Sequence, residues 1–225
     1  MDEPQSRPAG PVEGDRDARG SARPGLHWRR FTRSESYRGN IVALLDRLLA
    51  PLAPVERALD FGSGDGWFAR ELQRRGLARE VVAVDVQRRA DAHVEPHLYD
   101  GRRLPFEDRA FPLTYALDVL HHCPDPRASL RDLLRCTGRY FALKDHTYRT
   151  PLGRLTLCLF DELGNRRFGV PSLYHYQRSW TWSPWIAAEG FEPLATLHPA
   201  PCHDGLLGQA TNHLQFLALW RRAGP

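Results

Sequence analysis

At 225 residues, with 42% hydrophobic and 26% charged side chains, the chain suits one domain, with or without a tail, and can bury a large core without covalent staples. Its net charge of +4 comes almost wholly from arginine, Lys144 being the only lysine. The arginines are scattered between acids rather than clustered with aromatics, which argues against a nucleic-acid surface, and no apolar stretch reaches the roughly 20 residues of a membrane span.

Residues 1–25 are rich in Pro, Gly, Arg and Asp and nearly free of aromatic and β-branched residues. They cannot bury enough apolar surface to offset ordering entropy, so this tail is expected to be disordered, with a single domain over 26–225. The tail also lacks the apolar core of a signal peptide. Ile41 to Leu49 has helical spacing and stops before Pro51. Arg57 to Phe61 reads as a buried strand, followed by the turn Gly62-Ser63-Gly64-Asp65-Gly66. A helix is expected from Trp67 to Arg75, ended by Gly76. Val81 to Val84 is a short strand running into Asp85, and Leu113 to Leu117 another, ending at Asp118. Asp125-Pro126 reads as an N-cap with proline at the first helical position, opening a helix through Arg135. Tyr140 to Leu143 is the next strand, ending at Lys144-Asp145-His146. Leu152 to Leu159 can form a short helix, and Ser183-Pro184 is expected to cap another that ends at Gly190. Strands near 191–198 and 214–220 close the chain.

Strands alternating with helices imply an α/β, Rossmann-like, doubly wound and mostly parallel sheet with helices on both faces. Ligands in such sheets bind at the carboxyl ends of the strands, where Asp60, Asp85, Asp118 and the Lys-Asp-His triplet fall. Four cysteines, Cys123, Cys136, Cys158 and Cys202, are widely spaced and form no C-x-x-C pair. Reduced thiols are the expected state, which favours a reducing, cytoplasmic compartment.

The glycine turn is the most informative segment. Glycines allow positive φ and bring backbone close to a ligand. A dinucleotide site uses G-x-G-x-x-G/A, but the sixth position here is Trp67. Carboxylates at Asp60 and Asp65 would repel a pyrophosphate and suit a cationic ligand. Leu59 to Gly66 closely resembles the first motif of class I S-adenosylmethionine-dependent methyltransferases, in the type-11-like group that acts on small molecules. Asp85 follows the glycines by roughly 20 residues, where an acid can take both ribose hydroxyls. Tyr99 to Asp108 resembles the family's D-A-x-x-L-P-F segment, and Leu117 to His122 its fourth-strand motif. The resemblance covers about residues 55 to 150 strongly and 180 to 220 weakly. It implies S-adenosyl-L-methionine as cofactor, held by Asp60, Gly62, Ser63 and Gly64, by Asp85 and Val86, by Asp100 and Gly101 at the adenine, and by Asp118 and Val119.

A base assists methyl transfer when the acceptor is a hydroxyl or a protonated amine. The preferred candidate is His146 with Asp145, at a strand end expected to open onto the acceptor pocket; His121 is the next, and His122 and Lys144 follow. One histidine of the 121–122 pair is expected to pack inward. No metal is expected, because a catechol-type site needs clustered carboxylates and an amide, and no Asp-Asn pair completes the set. In the resembled group, an insert such as 147–182 forms a lid over the acceptor. Its run Tyr174, His175, Tyr176, Trp180, Trp182 and Trp185 either lines an apolar pocket for a small molecule or packs the insert on the sheet, with Trp185 in the core. The expected function is methyl transfer to oxygen or nitrogen of a small-molecule acceptor, with no nucleic-acid partner. A catalytically silent binding protein and a nucleic-acid methyltransferase are the alternatives. These motifs leave the oligomeric state open.

Overall fold

A computed structural model describes residues 35–165 and 173–224; the expected disordered tail and residues 166–172 of the insert lie outside it. The first helix, α1 (Glu35–Leu49), begins earlier than its apolar run suggested, because the buried stripe of Ile41, Leu45 and Leu49 extends back one turn to Tyr37. The alternation then runs β1 (Val55–Phe61), α2 (Trp67–Arg74), β2 (Ala78–Asp85), the two-residue β3 (His97–Leu98), β4 (Phe111–Leu117) and α3 (Pro126–Cys136). Gly76 takes φ +69° just past α2, and Asp125 caps α3 by accepting the Ala128 N–H at 2.9 Å, as expected of a side-chain N-cap.

β5 (Thr137–Tyr148) differs from expectation. It does not end at Lys144-Asp145-His146 but carries them inside the strand, paired with β8 (Gln215–Arg222). Antiparallel pairing with β8 extends the ladder beyond the end of β4. The insert holds a long helix, α4 (Pro151–Asn165), and a two-residue strand, β6 (Gln177–Arg178). α5 (Trp182–Ala188) starts one residue before the expected Ser183 cap, and no side chain caps it. β7 (Phe191–Leu197), α6 (Gly205–Thr211) and β8 complete the chain.

The main sheet runs β3-β2-β1-β4-β5-β8-β7. Strands β3 to β5 are parallel, and β8 lies antiparallel between β5 and β7. Period-two alternation sends Leu113, Tyr115 and Leu117 of β4 toward α1 and α2, and Ala116 toward α3 and α5. On β8, Leu217 and Leu219 go one way and Phe216, Ala218 and Trp220 the other. Both faces are therefore covered, as a parallel sheet requires. Trp182 is fully buried against Trp185 (centroids 5.5 Å apart) and joins the core with Trp220, whereas Trp185, expected in the core, is half-buried at its edge. All four cysteines are free thiols, and no described helix is long and apolar enough to cross a membrane.

The single lysine sits fully buried in the middle of this frame. Lys144 Nζ donates to Tyr37 Oη of α1 at 2.6 Å, to Asp118 Oδ1 just past β4 at 2.5 Å, and to Gln215 Oε1 of β8 at 2.7 Å. Tyr37 in turn donates to Asp118 Oδ2 at 2.7 Å. An ammonium has three donors, and here three oxygens from three elements meet them. Lys144→Met leaves Asp118 without its cation and should cost about 3–5 kcal/mol of unfolding free energy in urea titrations; a loss under about 1 kcal/mol would mean the network stabilises nothing.

Candidate active site

β1 pairs with β2 on one side and β4 on the other, so the turn after β1 lies at the switch point of the sheet. Gly62 takes φ +67°. A Cβ there would come within 2.1 Å of Val119 Cγ2, so the bare glycine lets the residue after Asp118 pack into the turn. Gly66, at φ +69°, abuts the Val94 backbone, where a Cβ would stand 2.8 Å from the amide nitrogen. Asp85 holds the turn from β2: its Oδ2 accepts the Gly64 N–H at 2.8 Å, and its Oδ1 accepts those of Val86 and Gln87 at 2.7 and 3.2 Å. Beyond it the exposed Val86 faces Gly101, and Asp100 Oδ1 accepts the Arg102 N–H at 2.9 Å, closing the Asp-Gly turn.

Two acids of this region, one in the turn and one at a strand end, are paired with basic side chains. Asp65 pairs with Arg38 of α1 at 2.9 Å. Asp118, at φ +54°, is held by Lys144 and Tyr37; burial alone would raise its pKa, but Lys144, His146 and the Tyr37 hydroxyl together outweigh it and keep the carboxyl at about 2. Asp60 behaves in the opposite way. Burial pushes it up to about 8, only partly offset by the neighbouring Tyr115 hydroxyl. It is therefore largely uncharged at neutral pH, and does not supply the anionic charge that the sequence ascribed to it.

A cavity of about 230 Å³ opens beside the turn. Gly62, Ser63 and Gly64 form one wall, Asp118, His121 and His146 another, and Phe160, Asp161 and Tyr176 of the insert a third. Ser63 Oγ is buried there without a hydrogen-bond partner. Asp85, Val86, Asp100 and Gly101 lie outside this wall, grouped along the ends of β2 and β3; Val119 packs against Gly62, and Asp60 is buried.

Around His121 the pairing differs from the sequence expectation. Asp145 Oδ1 accepts from His121 Nδ1 at 2.7 Å, whereas it meets His146 only at the backbone N–H. Burial disfavours a charged His121, but Asp145 outweighs burial and raises its pKa; in return His121 holds the Asp145 carboxyl below its usual range against burial. His146 stacks on His121 at 4.9 Å. Burial, with Lys144 and His121 nearby, pushes its pKa down to about 3. His121 is the inward-packed member of the 121–122 pair, at 2% exposure.

Of the six rings in the run from Tyr174 to Trp185, only Tyr176 faces this cavity. Tyr174 and His175 line a separate surface recess, and the three tryptophans pack on the core. The residues missed by the sequence reading are Tyr37, Arg38, Arg89, Asp161, His203 and Gln215, all on the cavity wall. Asp161 left a signal: it sits one turn after the buried Leu157, an acid on the inward stripe of a helix.

The donor set fits S-adenosylmethionine better than a dinucleotide. Asp85 is an acceptor group at the strand end, suited to ribose hydroxyls, and the orphaned Ser63 hydroxyl awaits a polar ligand atom. The N-terminus of α2 is not free for a pyrophosphate, because Asp65 Oδ1 accepts the Trp67 N–H at 3.2 Å.

Comparison with known proteins agrees. A family model described as a methyltransferase domain matches residues 29–196. A malonyl-[acyl-carrier protein] O-methyltransferase of Halorhodospira halophila is 37% identical over 107 residues, which is 41% of this chain and 36% of that protein. An uncharacterized methyltransferase of a Mycobacterium species is 31% identical over 119 residues, 48% of this chain and 46% of that protein. The chain thus spans less than half the length of these curated relatives. Among solved structures, a methyltransferase of Mesorhizobium loti aligns with TM-score 0.61 at 16% identity, over 83% of this chain and all of that one. The [4+2]-cyclase SpnF aligns with TM-score 0.57 at 16% identity, over 82% of this chain and 80% of that one. At such identity these likenesses show the fold alone.

The raised Asp60 has a measurable consequence. In the unfolded chain it deprotonates near 3.8 and in the fold near 8. Between those values the fold binds the extra proton, so this group's contribution to stability falls as pH rises and levels off above about 8. The melting temperature of Asp60→Asn relative to the wild type should therefore move in the variant's favour from pH 5 to pH 8. A difference independent of pH would show Asp60 ionised in the fold.

Proposed function

The chain belongs to the methyltransferase-domain family, the class I S-adenosylmethionine-dependent enzymes, and on that premise we propose that it methylates an oxygen or nitrogen of a small-molecule acceptor seated in the cavity beside the glycine turn. One observation carries this reading: the turn that would hold the donor and the histidines that could handle the acceptor's proton open onto the same cavity. S-adenosylmethionine, when bound, supplies a sulfonium-activated, electrophilic methyl group.

The roles of the chain's own residues follow from their surroundings. Asp85 is assigned a ribose hydroxyl, using the Oδ2 lone pair that the Gly64, Val86 and Gln87 amides leave open. Gly62 and Gly64 leave the backbone bare toward the ligand, and Ser63 Oγ offers a hydroxyl. Val86, Asp100 and Gly101 are assigned the adenine side, and Val119 packs the floor. Asp60 and Asp118 are supports: the first is uncharged at neutral pH, and the second is neutralised by Lys144.

Proton removal is assigned to His121 rather than His146. A base with a pKa near 3 holds protons poorly at neutral pH, whereas Asp145 strengthens His121 and fixes its Nδ1 proton inward. Holding the acceptor close to the methyl group accounts for much of the rate in such a site. Phe160, Leu163 and Tyr176 close the cavity from the insert and favour an acceptor with an apolar body. The Halorhodospira relative's name supports an oxygen acceptor.

Asp85→Ala should weaken S-adenosylhomocysteine binding at least tenfold by calorimetry; unchanged affinity would remove the ribose assignment. With methyl-labelled donor and a panel of phenols, carboxylates and amines, Asp145→Asn should lower turnover on the accepted compound by about 10²-fold with little change in donor affinity. If Asp145→Asn is fully active and His146→Ala is not, the base is His146.

A further inference from the structure

The cavity holds a second constellation that methyl transfer does not require. His121 and His122, in the 3-10 turn Leu120–His122 after β4, meet Asp161 of α4, and one ligand atom from each lies within 4.8 Å of the others. We propose that these three side chains bind a divalent cation of the zinc, cobalt and iron(II) class.

The spacing suits ligation. His122 Nε2 and Asp161 Oδ1 are 3.6 Å apart. Two ligands each about 2.1 Å from one ion, at a tetrahedral angle, stand roughly 3.4 Å apart. His121 is held as a metal-bound histidine is held. Its Nδ1 meets the Asp145 carboxylate at 2.7 Å, so the proton lies on that side and the Nε2 lone pair is left for an ion. The ring is pinned between His146 at 4.9 Å and Tyr176 at 4.9 Å.

The donor chemistry points the same way. Two histidines and one carboxylate are a borderline-soft donor set, suited to these metals rather than to magnesium or calcium. Three protein ligands leave positions open, and all three residues line the cavity. His146 Nδ1, buried nearby without a hydrogen-bond partner, could accept from a water or hydroxyl bound there.

This inference rests on the reading above for its chemical meaning. An ion on that wall would present a Lewis acid to the acceptor and lower the pKa of a bound hydroxyl. With the ion in place, His121 is a ligand rather than the base, and the acceptor class narrows to compounds bearing a hydroxyl.

The test uses untagged full-length protein, stripped with chelator and titrated with cobalt(II) while visible absorption is recorded. The expected result is one equivalent bound with a dissociation constant below about 10 µM, displaced by zinc. Asp161→Asn and His122→Gln should each weaken binding at least tenfold, and Asp145→Asn should weaken it by about 10–100-fold through His121. Thermal unfolding and S-adenosylhomocysteine binding of the variants report whether the fold is intact. Folded wild type that binds no cobalt, or binds it equally well after Asp161→Asn and His122→Gln, overturns the site. Cobalt binding without S-adenosylhomocysteine binding would uphold the ion site and sink the methyl-transfer reading; the converse would sink the ion site alone.

Discussion

A desolvated ammonium is costly unless every proton on it finds an oxygen, and that requirement organises this molecule. Lys144 Nζ meets it by drawing Tyr37, Asp118 and Gln215 to one point. An arginine would bring five donors in a planar fork and leave some unmet; a compact ammonium matches three acceptors. The consequences spread outward. Asp118 is held in a left-handed conformation, the next residue, Val119, packs into the space left by Gly62, and the glycine turn is thereby fixed against β4. Along β5 the following residue, Asp145, orients His121. The donor side and the acceptor side of the cavity are thus tied to the same buried charge.

The acids around the glycine turn divide the remaining work. Asp65 is neutralised by Arg38, Asp118 by Lys144, and Asp60 by its own proton near neutral pH. Asp85 is left gathering backbone N–H groups from the turn and from its own strand end. Four carboxylates near one ligand site would otherwise repel one another strongly in a poorly screened interior. The structure resolves that repulsion with one ammonium, one guanidinium and one retained proton, while keeping an acceptor group where a ribose would lie.

Much of the frame was legible in the sequence because it rests on local rules. Apolar runs bounded by Gly, Asp-Pro and charged clusters gave the β–α alternation, and Asp125 caps α3 as its spacing implied. The glycine turn and Asp85 fall at strand ends, where the topology needs them. What could not be read depends on contacts between distant segments. Lys144-Asp145-His146 reads as a strand end, because antiparallel pairing with β8, some 70 residues later, is what prolongs β5. Asp145 stands next to His146 in sequence but turns its carboxylate to His121 across the neighbouring strand. The aromatic run 174–185 suggested a pocket lining, yet packing its three indoles on the core left Tyr176 as the one ring of the run on the cavity. Tyr37 and Asp161 were passed over because their partners lie in other elements, 81 residues away for Tyr37 and Asp118.

The claim on which the account turns is that the glycine turn and Asp85 bind S-adenosylmethionine beside the cavity. Parallel calorimetric titrations of the purified protein with S-adenosylmethionine, S-adenosylhomocysteine and NAD test it most directly. Saturable binding of the first two and none of NAD is the expected result. Binding of NAD alone, or of none of the three by folded protein, would contradict the account.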